Sequence, residues 1–175
     1  MGFVPEDRKL QGLFLNMAVR ENLVISTLPE ISRFSFVNFR HADQLARDFV
    51  GKLKIRTPSV RQLVRNLSGG NQQKVIIARW LTLKPRILIL DEPTRGIDVA
   101  TKAEIHALMN DLAKEGVAVM VVSSDLPEVL GVSDRILVMR SGRVVAEFSR
   151  QEASQDNIMH AATTGRENNA QQRAQ

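Results

Sequence analysis

Apolar residues in this chain alternate between short unbroken runs and stripes spaced three to four apart. Ile87-Leu88-Ile89-Leu90 and Val117 to Val122 are continuous apolar runs. Runs of that length fit parallel strands buried on both faces. Between them, Ala103, Ile105, Leu108, Met109 and Leu112 mark an amphipathic helix over 99–115, with Gly116 as its C-terminal stop. Strand, helix and strand make one βαβ unit, expected to be right-handed. Ala42, Leu45, Phe49 and Leu53 predict a helix over 41–53, and Pro58 acts as a breaker beyond it. Val75, Ile76, Ala78 and Leu83 predict another over 72–83, ended by Lys84-Pro85. Val19, Leu23 and Ser26 share a helical face, with Asn16 as a candidate cap. Phe34, Phe36 and Phe39 read as a loop or a packing patch.

Gly2 to Pro5 reads as the end of a short strand stopped by proline. Leu126 to Leu130 predicts a short helix. Ile136–Met139 and Val144–Phe148 flank Ser141-Gly142 and predict a hairpin. Gln151 to Thr163 predicts a last helix, with Ile158, Met159 and Ala162 as its apolar residues. The polar stretch from Gly165 to Gln175 reads as disordered. These elements give an α/β class, a mostly parallel sheet with flanking helices.

The chain has 175 residues, enough for one domain with a sizeable core. Cysteine is absent, which excludes disulfides and thiolate metal sites. No apolar run approaches the ~20 residues a membrane span needs, and the Met1 end has no signal-peptide pattern. The net charge of +5 is scattered rather than blocked, which favours a solvated surface over a nucleic-acid face. Trp80 reads as packing. His41, His106 and His160 read as surface or partly buried side chains.

The chemistry concentrates between Leu67 and Asp98. In Leu67-Ser68-Gly69-Gly70-Asn71-Gln72-Gln73-Lys74, Ser68 can cap a helix starting near Asn71. Gly69 and Gly70 carry no Cβ, so backbone N–H groups can approach an anion closely at a helix N-terminus. After the run 87–90 come Asp91 and Glu92, at the C-terminal end of a strand where α/β proteins place ligands. One carboxylate there can hold Mg²⁺ beside phosphate. The second can activate a water.

These residues resemble ATP-binding-cassette (ABC) ATPases. Leu67 to Gln73 is similar to the family's signature, Leu90-Asp91-Glu92-Pro93-Thr94 to its Walker B motif, and Arg95-Gly96-Ile97-Asp98 to its D-loop. Asn71-Gln72-Gln73-Lys74 together with Glu92 to Asp98 resembles the second cassette of simple-sugar importers of the ribose, xylose and galactose type. The resemblance implies a P-loop NTPase-like cassette over residues 1–165. A helical subdomain would span about 10–66, the signature and Walker B core 67–148, and a C-terminal helix 149–165, with a disordered tail at 166–175.

Cofactors implied are ATP and Mg²⁺. Ser68, Gly69 and Gly70 would meet the γ-phosphate, with Gln72 and Gln73 near the nucleotide. Asp91 would hold the metal through water, Glu92 would act as base, and Asp98 would communicate across a dimer. Glu6 stands where most members carry a glutamine; the sugar-importer second cassette often has a glutamate there, so the departure fits the narrower resemblance. Ser124 stands where a histidine normally contacts the γ-phosphate. It offers a hydroxyl but no charge, a sign of a weakened hydrolytic site.

No G-x-x-x-x-G-K-S/T pattern occurs among the ten glycines, and no adenine-stacking aromatic is present. The chain therefore reads as the rear part of one cassette. It is expected to donate a signature but not to hold ATP alone, to expose a sheet edge, and to be marginally stable. Implied partners are an N-terminal cassette or second ATPase chain, membrane permease subunits and, indirectly, a sugar-binding protein. The implied place is the cytoplasmic face of the cell membrane, peripherally, with the helical subdomain docked on the permease. Two alternatives stand beside this: a non-catalytic module that binds a permease or full cassette, and a DNA-repair type of ABC ATPase.

Overall fold

The computed structural model describes residues 1–33 and 36–165. Phe34 and the polar stretch 166–175 lie outside the described residues. The chain forms two compact units, Met1–Val122 and the part from Ser123 onward.

The first unit runs β1 (Gly2–Val4), α1 (Val19–Val24), α2 (Leu28–Ile31), β2 (Ser32–Arg33), β3 (Phe36–Val37), α3 (Phe39–Lys52), α4 (Gly69–Leu81), β4 (Ile87–Asp91), α5 (Val99–Lys114) and β5 (Ala118–Val122). Strands β1, β4 and β5 form a parallel sheet in that order, with Phe3 opposite Ile89 and Ile89 opposite Met120. Helix α4 packs on β1 and α5 on β5. Val4, Leu88, Leu90, Val75, Ile76, Ile77 and Ile105 are fully buried and form the core.

The sheet departs from the expected double burial. Phe3, Ile87, Met120 and Val122 keep 45%, 44%, 51% and 45% of their surface exposed. Burial therefore alternates along β4 although every residue from Ile87 to Leu90 is apolar. An apolar run reports that both faces tolerate apolar side chains; it does not report what covers them.

Helix ends also moved, each for a local reason. α3 begins at Phe39 because Asn38 Oδ1 accepts from the His41 N–H at 3.1 Å. α1 takes Ala18 rather than Asn16 as its cap residue. Glu21 Oε2 accepts from the Ala18 N–H at 2.7 Å, while Asn16 Oδ1 accepts from Arg65. After α5, Gly116 adopts φ +89°, a left-handed geometry that suits glycine.

Helix α4 is fastened from two sides by cations the sequence places among its polar residues. Arg79 is 7% exposed and donates to the Asn22 carbonyl, the Gly12 carbonyl and Asn22 Oδ1 at 2.6–2.7 Å. Burial pulls its pKa down to about 10, so it stays charged at neutral pH. Lys74, 3% exposed, donates to Glu104 Oε2 at 2.7 Å and to the Lys54 carbonyl at 3.2 Å. The first contact ties α4 to α5, the second ties α4 to the segment after α3.

The second unit holds α6 (Leu126–Val132), β6 (Arg135–Arg140), β7 (Arg143–Ser149) and α7 (Gln155–Thr164). β6 and β7 pair antiparallel as the expected hairpin. Ile136, Val138, Ala146 and Phe148 pack against Ile158 and Ala161 of α7. α7 starts at Gln155, later than its apolar spacing suggests. Ser154 Oγ accepts from the Asn157 N–H, while Glu152 turns back onto Ser149.

Candidate functional site

The signature segment starts its helix at Gly69, two residues earlier than expected. Ser68 occupies the cap position with extended backbone, yet its side chain caps no backbone N–H. Its Oγ instead accepts from Asn71 Nδ2 at 2.8 Å. Asn71 Oδ1 in turn accepts from the Arg56 N–H at 2.7 Å. The Ser68 hydroxyl thus leaves the first-turn donors of α4 to other acceptors, and Ser68 itself is exposed.

The two glycines serve different neighbours. A Cβ on Gly70 would stand 2.1 Å from Thr101 Cγ2, so this glycine lets α4 meet α5. A Cβ on Gly69 would stand 2.8 Å from Arg8 Nη2 and 3.4 Å from the Gly96 carbonyl oxygen. Gln72 and Gln73 are buried, 5% and 2% exposed, and are not presented at the helix tip. Gln72 Nε2 donates to the Val64 carbonyl at 3.2 Å and braces the turn that leads into the signature.

At the end of β4, Asp91 and Glu92 are half-buried. Glu92 has φ +45°, a left-handed conformation that costs a non-glycine residue roughly 1 kcal/mol. The fold holds it there: its N–H donates to the Val122 carbonyl at 2.8 Å, and its own carbonyl accepts from the Arg95 N–H at 3.1 Å. Asp98 caps α5, accepting from the Thr101 N–H at 2.9 Å and the Thr101 hydroxyl at 2.7 Å. Those two bonds hold its carboxyl below the usual carboxylate range.

The loop after β1 closes onto this region. Glu6 pairs with Arg95. Arg8 donates through Nη1 to the Arg95 carbonyl at 2.8 Å and through Nη2 to the Gly96 carbonyl at 3.3 Å. Asp7 accepts from the N–H groups of Lys9 and Leu10 at 3.0 Å, so residues 8–12 form a helical turn. Glu6, Asp7, Arg8, Lys9 and Arg95 line a shallow cavity of about 250 Å³.

Glu6 and Arg8 thus hold Arg95 and Gly96 close to Gly69, Gly70 lies against Thr101, and Thr101 bonds Asp98, with Glu92 reached through the turn to Arg95. Ser124 belongs to the second unit. There it is exposed, next to Ser123, whose Oγ donates to the buried Glu128 carboxylate at 2.6 Å. Arg8 and Lys74 went unread as site-building residues. The close spacing of Arg8 to Glu6 was the available signal, and nothing in the local sequence shows the carbonyls it reaches.

Among the described residues no three His, Asp or Glu side chains cluster as a metal cage. Asp91 with Glu92 beside it suits Mg²⁺, which takes one or two protein carboxylates and fills the rest with water and phosphate. The uncapped start of α4 suits phosphate oxygen.

Residues 1–95 match the ABC transporter family. Over 165 residues the chain is 50% identical to the ribose import ATP-binding protein RbsA of Shouchella clausii, covering 94% of this chain and 33% of that protein. Over 166 residues it is 51% identical to the xylose import ATP-binding protein XylG of Thermoanaerobacter pseudethanolicus, covering 95% and 33%. The chain thus spans about a third of the length of the curated relatives it matches. It also superposes on the ATP-binding cassette MJ0796, seen as a post-hydrolysis dimer bound to ADP and Pi. That match has TM-score 0.69 and 27% identity, over 85% of this chain and 62% of that one. Motifs, parallel sheet and matches agree, and more than half of the sequence lies inside the family match: the chain belongs to the ABC transporter family.

Proposed function

We propose that this chain supplies the signature and Walker B part of the second cassette of an importer for a simple sugar, where ATP hydrolysis drives uptake. The observation that carries the reading is the closeness of Gly69 to Arg95 and Gly96, which Glu6 and Arg8 hold, and of Gly70 to Thr101, which bonds Asp98. It unites the signature helix tip with the loops that follow β1 and β4. The relatives' names supply the sugar class.

Each residue then has a role. The N–H groups at Gly69 and Gly70, with the Ser68 hydroxyl, stabilise charge on the γ-phosphate of ATP held by an opposing cassette. Asp91 would hold Mg²⁺ through water, and the ion would supply charge neutralisation beside the phosphates. Glu92 takes a proton from the attacking water at the site on its own side. Glu6 orients polar groups next to Arg95, and Asp98 fixes the start of α5 behind Gly70. Gln72 and Gln73 support the helix tip from within rather than touch nucleotide. Ser124 gives a hydroxyl at the position that closes on the γ-phosphate, a weaker partner than imidazole. Partners are a cassette bearing a P-loop, and permease subunits docked on the helical region about 10–66, with a sugar-binding protein reached through the permease. No described helix is long and apolar enough to cross a membrane, and we place the chain at the cytoplasmic face through its partners.

Glu92→Gln in the assembled transporter tests this. General-base loss lowers the ATPase rate about 100-fold or more, while assembly with the permease persists. An unchanged rate overturns Glu92 as base and favours a module that binds without turnover.

A further inference from the structure

We infer that Arg8 is a positioning residue that holds the loop 95–98 and the tip of α4 in one arrangement. This deepens the signature reading above and rests on it for its functional meaning. Three observations converge. The Arg8 guanidinium forks across two successive carbonyls, Arg95 at 2.8 Å and Gly96 at 3.3 Å. Its Nη2 lies 2.8 Å from where a Cβ on Gly69 would stand, so a side chain there would crowd it. Its neighbour Glu6 pairs with the Arg95 side chain, so the same loop grips residue 95 by side chain and by backbone.

The placement runs against simple helix electrostatics. A cation beside a helix N-terminus faces the positive end of the macrodipole. Arg8 also buries its Nε without a hydrogen-bond partner. An arginine placed only for stability would avoid both. The two carbonyls compensate it, and the result is a fixed positive field at a tip that already favours anions. Lysine cannot reproduce the fork, because it brings a point charge and no planar pair of donors. Arg8 acts on phosphate through the position of Gly69, so it is not itself a catalytic residue.

Amide hydrogen exchange on the full 175-residue chain tests the proposal, with Arg8→Met and Arg8→Lys beside the wild type. Arg8→Met raises exchange about tenfold at the Arg95 N–H, bonded to the Glu92 carbonyl, and at the Gln72 N–H, bonded to the Ser68 carbonyl, as expected when a local closure is lost. Exchange in the strand Ile87–Asp91 stays as it was. Arg8→Lys gives a smaller rise and so a partial rescue. Unchanged exchange at Arg95 overturns the inference, and so does a rise shared equally by the strand, which marks general loosening. If Arg8→Met fails to fold, Arg8→Lys decides alone by the same local comparison. In the assembled ATPase, Arg8→Met lowers kcat and leaves KM for ATP nearly unchanged. A wild-type assembly without ATPase would sink the importer reading and leave the exchange result on Arg8 standing.

Discussion

At the residue scale, the two signature glycines show how one motif can carry two physical demands. Read from sequence, both have the same reason, close approach of backbone N–H groups to an anion. Gly69 sits at the half-buried tip of α4, beside Arg8. Gly70 is buried and needs its missing Cβ for Thr101, whose Cγ2 would lie 2.1 Å away. That contact was not legible, because Thr101 is 31 positions on and only the packing of α4 on α5 brings it near. Gly70→Ala should therefore overpack this contact and cost about 1–3 kcal/mol, measured by denaturant unfolding. Thr101→Ser removes Cγ2 and keeps the hydroxyl bonded to Asp98. The double variant Gly70→Ala with Thr101→Ser should regain part of the loss. Strict additivity of the two changes in a double-mutant cycle would show that the contact is not the cause.

At the element scale, helices were legible wherever apolar residues kept the 3.6 period, as in α5. The ends of α1, α3, α4 and α7 were not, because the caps depend on which polar side chain reaches which N–H. Arg79 is a charged residue buried in its helix. Only Asn22 and Gly12, distant in sequence, explain its burial. Asp98 was read for communication, and the structure adds a capping role at α5 that gives a testable pH dependence. Hydrogen bonds from Thr101 hold its carboxyl below the ordinary value, and the Lys74 bond does the same for Glu104 on the same helix. A folded-state pKa below the unfolded one adds stability that is fully present above the unfolded value, about 3.9 for Asp and 4.3 for Glu. That stability is lost as pH falls through the lower folded values. The chain should hold its denaturation midpoint from pH 7 down to about pH 5 and lose it steeply below about pH 4. Asp98→Asn keeps an oxygen acceptor for the Thr101 N–H but has no charge to lose. Its midpoint should be lower at pH 7 and fall less steeply in acid. Equal acid slopes for variant and wild type would remove Asp98 as a contributor.

At the scale of the whole molecule, the α/β class and the order of strands and helices were readable from the chain. The state of the sheet's faces was not. β5 reads Ala-Val-Met-Val-Val without a charge or proline, and its pairing among the described residues is with β4 alone. Natural sheets blunt such edges with lysine, proline or a bulge, because unpaired N–H and C=O groups next to apolar side chains template association. None of those devices is present in β5, and Met120 and Val122 stay about half exposed beside it. The 175-residue chain should therefore self-associate as its concentration rises, seen by light scattering on a size-exclusion column. Met120→Lys places a charge on the exposed face of that strand, opposite Ile89, and should raise the concentration at which association begins by at least about tenfold. Its unfolding free energy should stay within about 0.5 kcal/mol of wild type, because Met120 contributes little to the core. Val119→Lys, one position along, turns its charge to the opposite face, toward the side of Leu88 and Leu90, and should unfold the chain instead. The contrast between neighbouring positions separates an edge effect from a general gain in solubility with added charge. Equal association of wild type and Met120→Lys would mean that β5 is not the surface through which copies meet.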